Sequence, residues 1–240
     1  MSSTTQHGLV VSAHSADFVW RAGGAIALYA RRGWNMTVVC LSFGERGESA
    51  KLWREPGMTL DRVKAARRDE ATRAAGILGA SVRFLDCGDY PLRVSDDALF
   101  QLADIYRELR PAFVLTHSLK DPYNFDHPLA THVAQEARII AQAHGHRPDQ
   151  PVLGAPPVFL FEPHQPEQCE WKPEVLLDIS EVWDVKRRAF ETMAAQEHLW
   201  EYYTRVALQR GVQASRNSDL KITHAEGYQR IFPQVTGAFA

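Results

Sequence analysis

The stretch Leu9-Val10-Val11-Ser12-Ala13-His14-Ser15-Ala16-Asp17 decides the fold. A short apolar run ends abruptly in polar residues, which is how a buried parallel strand reads when it delivers side chains at its carboxyl end. Val19, Trp20, Ala27 and Leu28 then recur at helical spacing over residues 17–32. Gly33 stops that helix, and Arg31 and Arg32 sit in its last turn, where cations suit the dipole. Residues 36–41, Met-Thr-Val-Val-Cys-Leu, form a second strand. Strand, helix, strand in this order predicts a βαβ unit.

The alternation continues outward. A helix is predicted over 62–78, ended by Gly79, then a strand over 82–85. A helix capped by Ser95 or Asp96 runs to Arg110, where Pro111 ends it, and a strand covers 113–116. A helix follows over 128–143, then a proline-rich loop over 144–157 and late strands over 158–161 and 175–179. Ser180 can cap a long helix over 181–203, and the tail, 207–240, is weakly patterned. The fold class is α/β, a mostly parallel sheet with helices on both faces, in one domain spanning 1–240.

Composition narrows the function. With 27 Lys and Arg against 29 Asp and Glu in 240 residues, the net charge is −2, so no basic surplus exists to neutralise phosphates and no nucleic-acid partner is expected. No apolar run reaches the ~20 residues of a membrane helix, and the N-terminus lacks the basic region of a signal peptide. The three scattered cysteines, Cys40, Cys87 and Cys169, fit a reducing compartment. A cytoplasmic protein without a membrane partner is the expectation.

In open α/β sheets, ligands bind beyond the carboxyl ends of the strands. Four polar clusters fall there: His14 with Asp17, the Gly44–Ser49 loop, the loop 117–127, and Glu162-Pro163-His164. His14 and Asp17, three apart at a strand-to-helix junction, can converge on one cation, with Asp126-His127 offering a further ligand. Two histidines and a carboxylate with an open position is a catalytic zinc or iron pattern. Equally, Asp17 can be a helix cap and His14 a polar loop residue. The Gly44-Glu45-Arg46-Gly47-Glu48 loop is either a charged turn or a wall of the pocket, and it is no phosphate loop because no Gly-Lys-Ser/Thr follows. Gly23 and Gly24, inside the first helix, read as close helix–sheet packing.

These residues resemble a known family. Val-Val-Ser-Ala-His14-Ser-Ala-Asp17 resembles the AHPDDE signature of the PIG-L/LmbE-like zinc de-N-acetylases. Thr-Val-Val-Cys-Leu-Ser-Phe-Gly-Glu-Arg-Gly-Glu48 resembles their second strand and glycine–glutamate loop. Asn124-Phe-Asp126-His127-Pro-Leu-Ala-Thr131 resembles their HPDHxAT motif, and Asp178-Ile-Ser180 with Lys186 and Gln196 their late segment. The resemblance spans about residues 7 to 200. It implies a Rossmann-like fold and a zinc ion, or another divalent metal, held by His14, Asp17 and His127.

The departures carry as much information. Where the deacetylases have their general base, this chain has Ala16, and where they have the first histidine of HPDH it has Asn124. An alanine takes no proton, and amide hydrolysis needs both a base and an acid for the departing amine. Glu48 and His164, the latter fixed between Pro163 and Pro166, are the groups that can replace them. This combination resembles a divergent branch of the family that hydrates 4-oxalomesaconate to 4-carboxy-4-hydroxy-2-oxoadipate in gallate and protocatechuate breakdown. A lyase with Glu48 and His164 as its acid–base pair is the implied activity, with a small tricarboxylate as partner and a homo-oligomer left open. Arg46, Arg54 and Asn124 are the candidate substrate-binding groups, with Lys51 and Lys120 nearby. The alternative is a zinc-dependent de-N-acetylase of an amino sugar or N-acyl small molecule. A third possibility is a domain that binds metal without catalysing anything.

Overall fold

The computed structural model describes residues 5–237. In chain order it contains β1 (His7–Ser12), α1 (Asp17–Arg31), β2 (Asn35–Cys40), a single turn α2 (Ala50–Trp53), α3 (Leu60–Leu78), β3 (Ala80–Phe84), α4 (Asp96–Leu109), β4 (Phe113–Thr116), α5 (Asp126–Gln142), β5 (Val158–Phe161), β6 (Val175–Asp178), α6 (Trp183–Phe190), α7 (Leu199–Arg216) and β7 (Ala225–Arg230). The strands form one sheet in the order β3-β2-β1-β4-β5-β7-β6. The first five run parallel, with Val10 opposite Val38 and Leu9 opposite Val114. β7 enters antiparallel between β5 and β6.

Side-chain alternation sends β1 to both layers of the core. Val10 packs with Phe18, Ile26, Val38 and Leu78 beneath α1, α3 and α6. Leu9 and Val11 pack with Val39, Tyr106, Val133 and Ala137 beneath α4 and α5. A strand buried on both faces needs an unbroken apolar run, which explains why Leu-Val-Val reads so clearly. The strand order reverses between β1 and β4, so a crevice opens at their carboxyl ends.

Ser95 is the cap of α4, its hydroxyl accepting the Ala98 amide at 3.2 Å. Gly24 does pack tightly: a Cβ there would lie 2.6 Å from Ile179 and 2.8 Å from a Glu226 oxygen. Glu226 itself, 5% exposed, accepts the Gly24 and Ala25 amides at 2.6 and 2.8 Å, the Lys186 ammonium at 2.6 Å and the Tyr228 hydroxyl at 2.6 Å.

Two expectations for the C-terminal third are corrected. The helix predicted over 181–203 is broken: α6 ends at Phe190, a 3₁₀ turn covers Ala194–Gln196, and α7 starts at Leu199. The break is held from outside, because Glu70 accepts the Ala195 amide at 2.9 Å and Arg67 donates to the Gln196 carboxamide at 2.9 Å. The tail read as weakly patterned contains the end of α7 and all of β7. No helix among the described residues is long and apolar enough to cross a membrane, and the three cysteines are free thiols.

Candidate active site

The crevice gathers residues from four strand ends. The β1–α1 junction supplies His14 and Asp17, and the loop after β2 supplies Glu48. The first turn of α5, which follows the loop after β4, supplies His127, and the loop after β5 supplies His164. One ligand atom from each of His14, Asp17, Glu48 and His127 lies within 4.8 Å of the others. His14 Nδ1 is 3.1 Å from Asp17 Oδ2 and 3.1 Å from Glu48 Oε1. His127 Nε2 is 3.5 Å from Asp17 Oδ1, about the separation of two ligands on one tetrahedral zinc ion with bonds near 2.1 Å.

Asp17 is not the helix cap that the alternative reading required. Ala16 holds the cap position without a side-chain bond, and Asp17 Oδ2 accepts the His14 amide at 3.0 Å. The carboxylate is thereby turned toward the cluster.

Each imidazole is oriented by a carboxylate behind it. His127 Nδ1 faces Asp121 Oδ2 at 2.8 Å, and His14 Nε2 faces Asp126 Oδ2 at 3.1 Å. Asp126 in turn accepts the Tyr90 and Leu92 amides at 3.0 and 2.9 Å. A carboxylate on the far nitrogen fixes tautomer and ring orientation, as metal-binding histidines require. His127 Nε2 is buried and has no hydrogen-bond partner, so a buried acceptor faces the cluster unsatisfied. The donor set and this orphaned nitrogen fit a divalent cation.

The cluster's charges support one another. Burial alone would lower the pKa of His14, but the Glu48 carboxylate, with Asp126 and Asp17, holds it well above the ordinary histidine range. Burial would raise the carboxyls of Asp17 and Glu48. The facing imidazoles, chiefly His127 for Asp17 and His14 for Glu48, hold both below their usual values.

A cleft of about 200 Å³ opens over this cluster, and Asn124, His164, Gln196 and Tyr203 line it with Asp17, Glu48 and His127. His164, half-buried, stacks on Tyr202 at 4.1 Å between ring centres, and the Tyr202 hydroxyl donates to its carbonyl. Burial first, then the charge of Arg21, push the His164 imidazole below its ordinary pKa. Asn124 accepts the Asp126 amide through its side-chain oxygen at 3.1 Å.

Of the candidate cations, Arg46 turns away from this cleft and donates to the Asp89 carbonyl at 3.0 Å. Arg54 borders an adjoining cleft shared with Glu48, Tyr90 and Gln196. Lys51 donates to the Ala194 carbonyl at 3.2 Å, and Lys120 pairs with Glu170.

Residues the sequence reading did not single out also belong here. His117 is fully buried, accepts the Ala13 amide on Nε2 at 2.9 Å and stacks on His127 at 4.2 Å. Burial, then the neighbouring His127, hold it well below the ordinary histidine pKa, so it is a neutral wedge behind the ring. Asp121 and Arg21 complete the walls. Arg21 had a legible signal: it stands four residues after Asp17, on the same helix face.

Replacing His127 by Ala should leave the fold intact and strip divalent metal at near-neutral pH, measured as metal per chain after gel filtration. Stoichiometric metal in that variant would remove His127 from the ligand set.

The family profile of the GlcNAc-PI de-N-acetylases, PIG-L, matches residues 9–138. The 4-oxalmesaconate hydratase of Pseudomonas putida KT2440 is 67% identical over 98% of this chain and 93% of its own length. The crystal structure of GalB, the 4-carboxy-2-hydroxymuconate hydratase from the same organism, superposes with a TM-score of 0.96 at 67% identity, covering 98% of this chain and all of that one. The N,N'-diacetylchitobiose deacetylase of Pyrococcus horikoshii shares the fold at 21% identity, with a TM-score of 0.78 over 94% of this chain and 84% of its own. On these matches and the cluster's geometry, the chain belongs to the PIG-L family.

Proposed function

We propose that this chain is a metal-dependent hydro-lyase that adds water across the C=C bond of 4-oxalomesaconate, giving 4-carboxy-4-hydroxy-2-oxoadipate. The observation that carries this reading is an intact cation-ligand cluster beside Ala16, in a chain 67% identical along nearly its whole length to a protein named for that hydration. 4-Carboxy-2-hydroxymuconate, in the name of the solved relative, is the enol form of the same tricarboxylate.

His14, Asp17 and His127 are the ligands of a divalent ion, for which the histidine–carboxylate set suits zinc. When bound, the ion supplies Lewis acidity to the oxygen atoms gathered over the cluster. Glu48 is the base. It is held ionised beside His14, and its carboxylate takes a proton from the water whose oxygen adds to C4 of the substrate. The electron pair of the double bond passes toward C5 and its carboxylate. His164, from the β5 end of the cleft, is the acid that gives C5 its proton. One base and one acid complete the balance, with no leaving amine to protonate. Asn124 offers its side-chain NH₂ to the substrate, since its oxygen is already engaged.

The de-N-acetylase alternative meets an alanine, fully buried at position 16, and an amide at position 124 where the deacetylases carry proton-transfer groups. The test incubates the metal-loaded protein with 4-oxalomesaconate and, separately, with an N-acetylglucosaminyl substrate. Loss of conjugated ultraviolet absorbance in the first, with negligible free amine in the second, is the expected outcome. Robust acetate release from the amino sugar would overturn the reading in favour of deacetylation.

A further inference from the structure

A tricarboxylate brings three negative charges into a cleft whose base and metal ligands include Asp17 and Glu48. A counter-charge must meet it. Among the described residues lining the cleft, Arg21 is the one Lys or Arg. It is only 7% exposed, and its Nε and Nη1 are buried without a hydrogen-bond partner. The closest carboxylate oxygen, Asp17 Oδ1, stands 3.7 Å from Nε, outside hydrogen-bond range. A guanidinium is always charged, and leaving its buried donors unpaired is costly.

A small second cavity behind Arg21, of about 20 Å³, has room for a single water. One water satisfies a part of a five-donor fork. The rest of the fork is matched by a planar, doubly accepting anion, which a carboxylate provides.

The placement explains the orientation. Arg21 follows Asp17 by one helical turn on α1, and its Nε stands 3.7 Å from Asp17 Oδ1, beside the cation cluster. Its charge acts on His164, across the cleft. A carboxylate held at Arg21 therefore lies in the cleft that the cluster and His164 also line.

We infer that Arg21 is the carboxylate anchor of the active site, binding one carboxylate of the substrate through its guanidinium fork. This rests on the hydratase reading for the identity of the substrate, and on Arg21's own burial and unpaired donors for the subsite.

The experiment uses Arg21→Lys and Arg21→Gln in the zinc-loaded, full-length protein. Turnover of 4-oxalomesaconate is measured, and calorimetry compares binding of propane-1,2,3-tricarboxylate with that of glutarate, which has one carboxylate fewer. The expected result is a KM raised roughly 10- to 10²-fold in both variants, with kcat changed less and metal content unaltered. Wild type should prefer the tricarboxylate and both variants should lose that preference, the lysine losing it because it keeps charge without the fork. A wild-type KM in Arg21→Lys, a retained tricarboxylate preference in either variant, or metal lost in step with turnover would overturn the inference. If wild type fails to hydrate 4-oxalomesaconate while the variants still lose the preference, the hydratase reading falls and the carboxylate subsite stands.

Discussion

Glu48→Ala and His164→Ala should each lower kcat by at least ~10²-fold while bound metal stays at the wild-type level. The two side chains enter from different strand ends and border the same cleft. Glu48 lies within the cation cluster, so metal content is the measurement that separates its two possible duties. Metal lost from Glu48→Ala would make it a ligand; metal retained with kcat lost makes it the base. The double variant should be far less than multiplicatively worse than either single one, because both groups serve one addition. A pH profile gives the sign for His164. As an acid it must be protonated, so kcat/KM falls as pH rises through its pKa. Burial and the Arg21 charge place that limb below the ordinary histidine range. In His164→Ala the limb should vanish. If either single variant keeps a near-normal kcat and changes only KM, that residue binds substrate and does not transfer a proton.

The largest stability effect is expected at Glu226. Its carboxylate joins two α1 amides, Lys186 and Tyr228 in the interior, and Lys186 is itself only 2% exposed. Glu226→Ala leaves a buried ammonium without its partner and removes the carboxylate acceptor of three further donors, the Gly24 and Ala25 amides and the Tyr228 hydroxyl. Breaking a buried pair from one side costs roughly 3–5 kcal/mol. For a chain of this size that lowers Tm by roughly 6–20 °C. Lys186→Met with Glu226→Gln should recover part of the loss, since the net charge is removed while hydrogen-bonding oxygen remains. Thermal unfolding followed by circular dichroism checks both. A Glu226→Ala protein melting within a degree or two of wild type would show that water or rearrangement satisfies the site.

Most of the site was legible because its residues come from strand ends that the apolar runs announce. His14 and Asp17 follow Leu9-Val10-Val11, and the loop after Phe113–Thr116 leads straight into Asp126 and His127 at the start of α5. The supporting carboxylates were harder. Asp121 looks like any acidic loop residue until the fold brings it behind His127. Arg21 reads as a surface charge because helices usually expose arginine, and its one sequence signal, the spacing of four from Asp17, gains meaning only with its burial. The helix break after Phe190 left no local trace: Glu-Thr-Met-Ala-Ala-Gln-Glu contains neither glycine nor proline, and the interruption is imposed by Arg67 and Glu70 of α3. β7 was hidden by its own chemistry. Ala-Glu-Gly-Tyr-Gln-Arg lacks the apolar alternation of a strand because its inward Glu226 is matched by a lysine rather than by hydrophobic neighbours.

The late position of β7 sets an order of events on the ribosome. β1 to β5 and their helices emerge in a sequence that lets each parallel strand join the last, or its neighbour, as it appears. β6 has no such partner: among the described residues its ladder is made with β7 alone, which is synthesised after α6 and α7. Until Ala225–Arg230 leaves the ribosome, the outer edge of β5, Val-Phe-Leu-Phe, also stays open, and an open apolar strand edge is a template for pairing with other chains. The nascent chain thus carries an open apolar edge until β7 emerges, and the strand that closes it is the one that also ties α1 into place through Glu226.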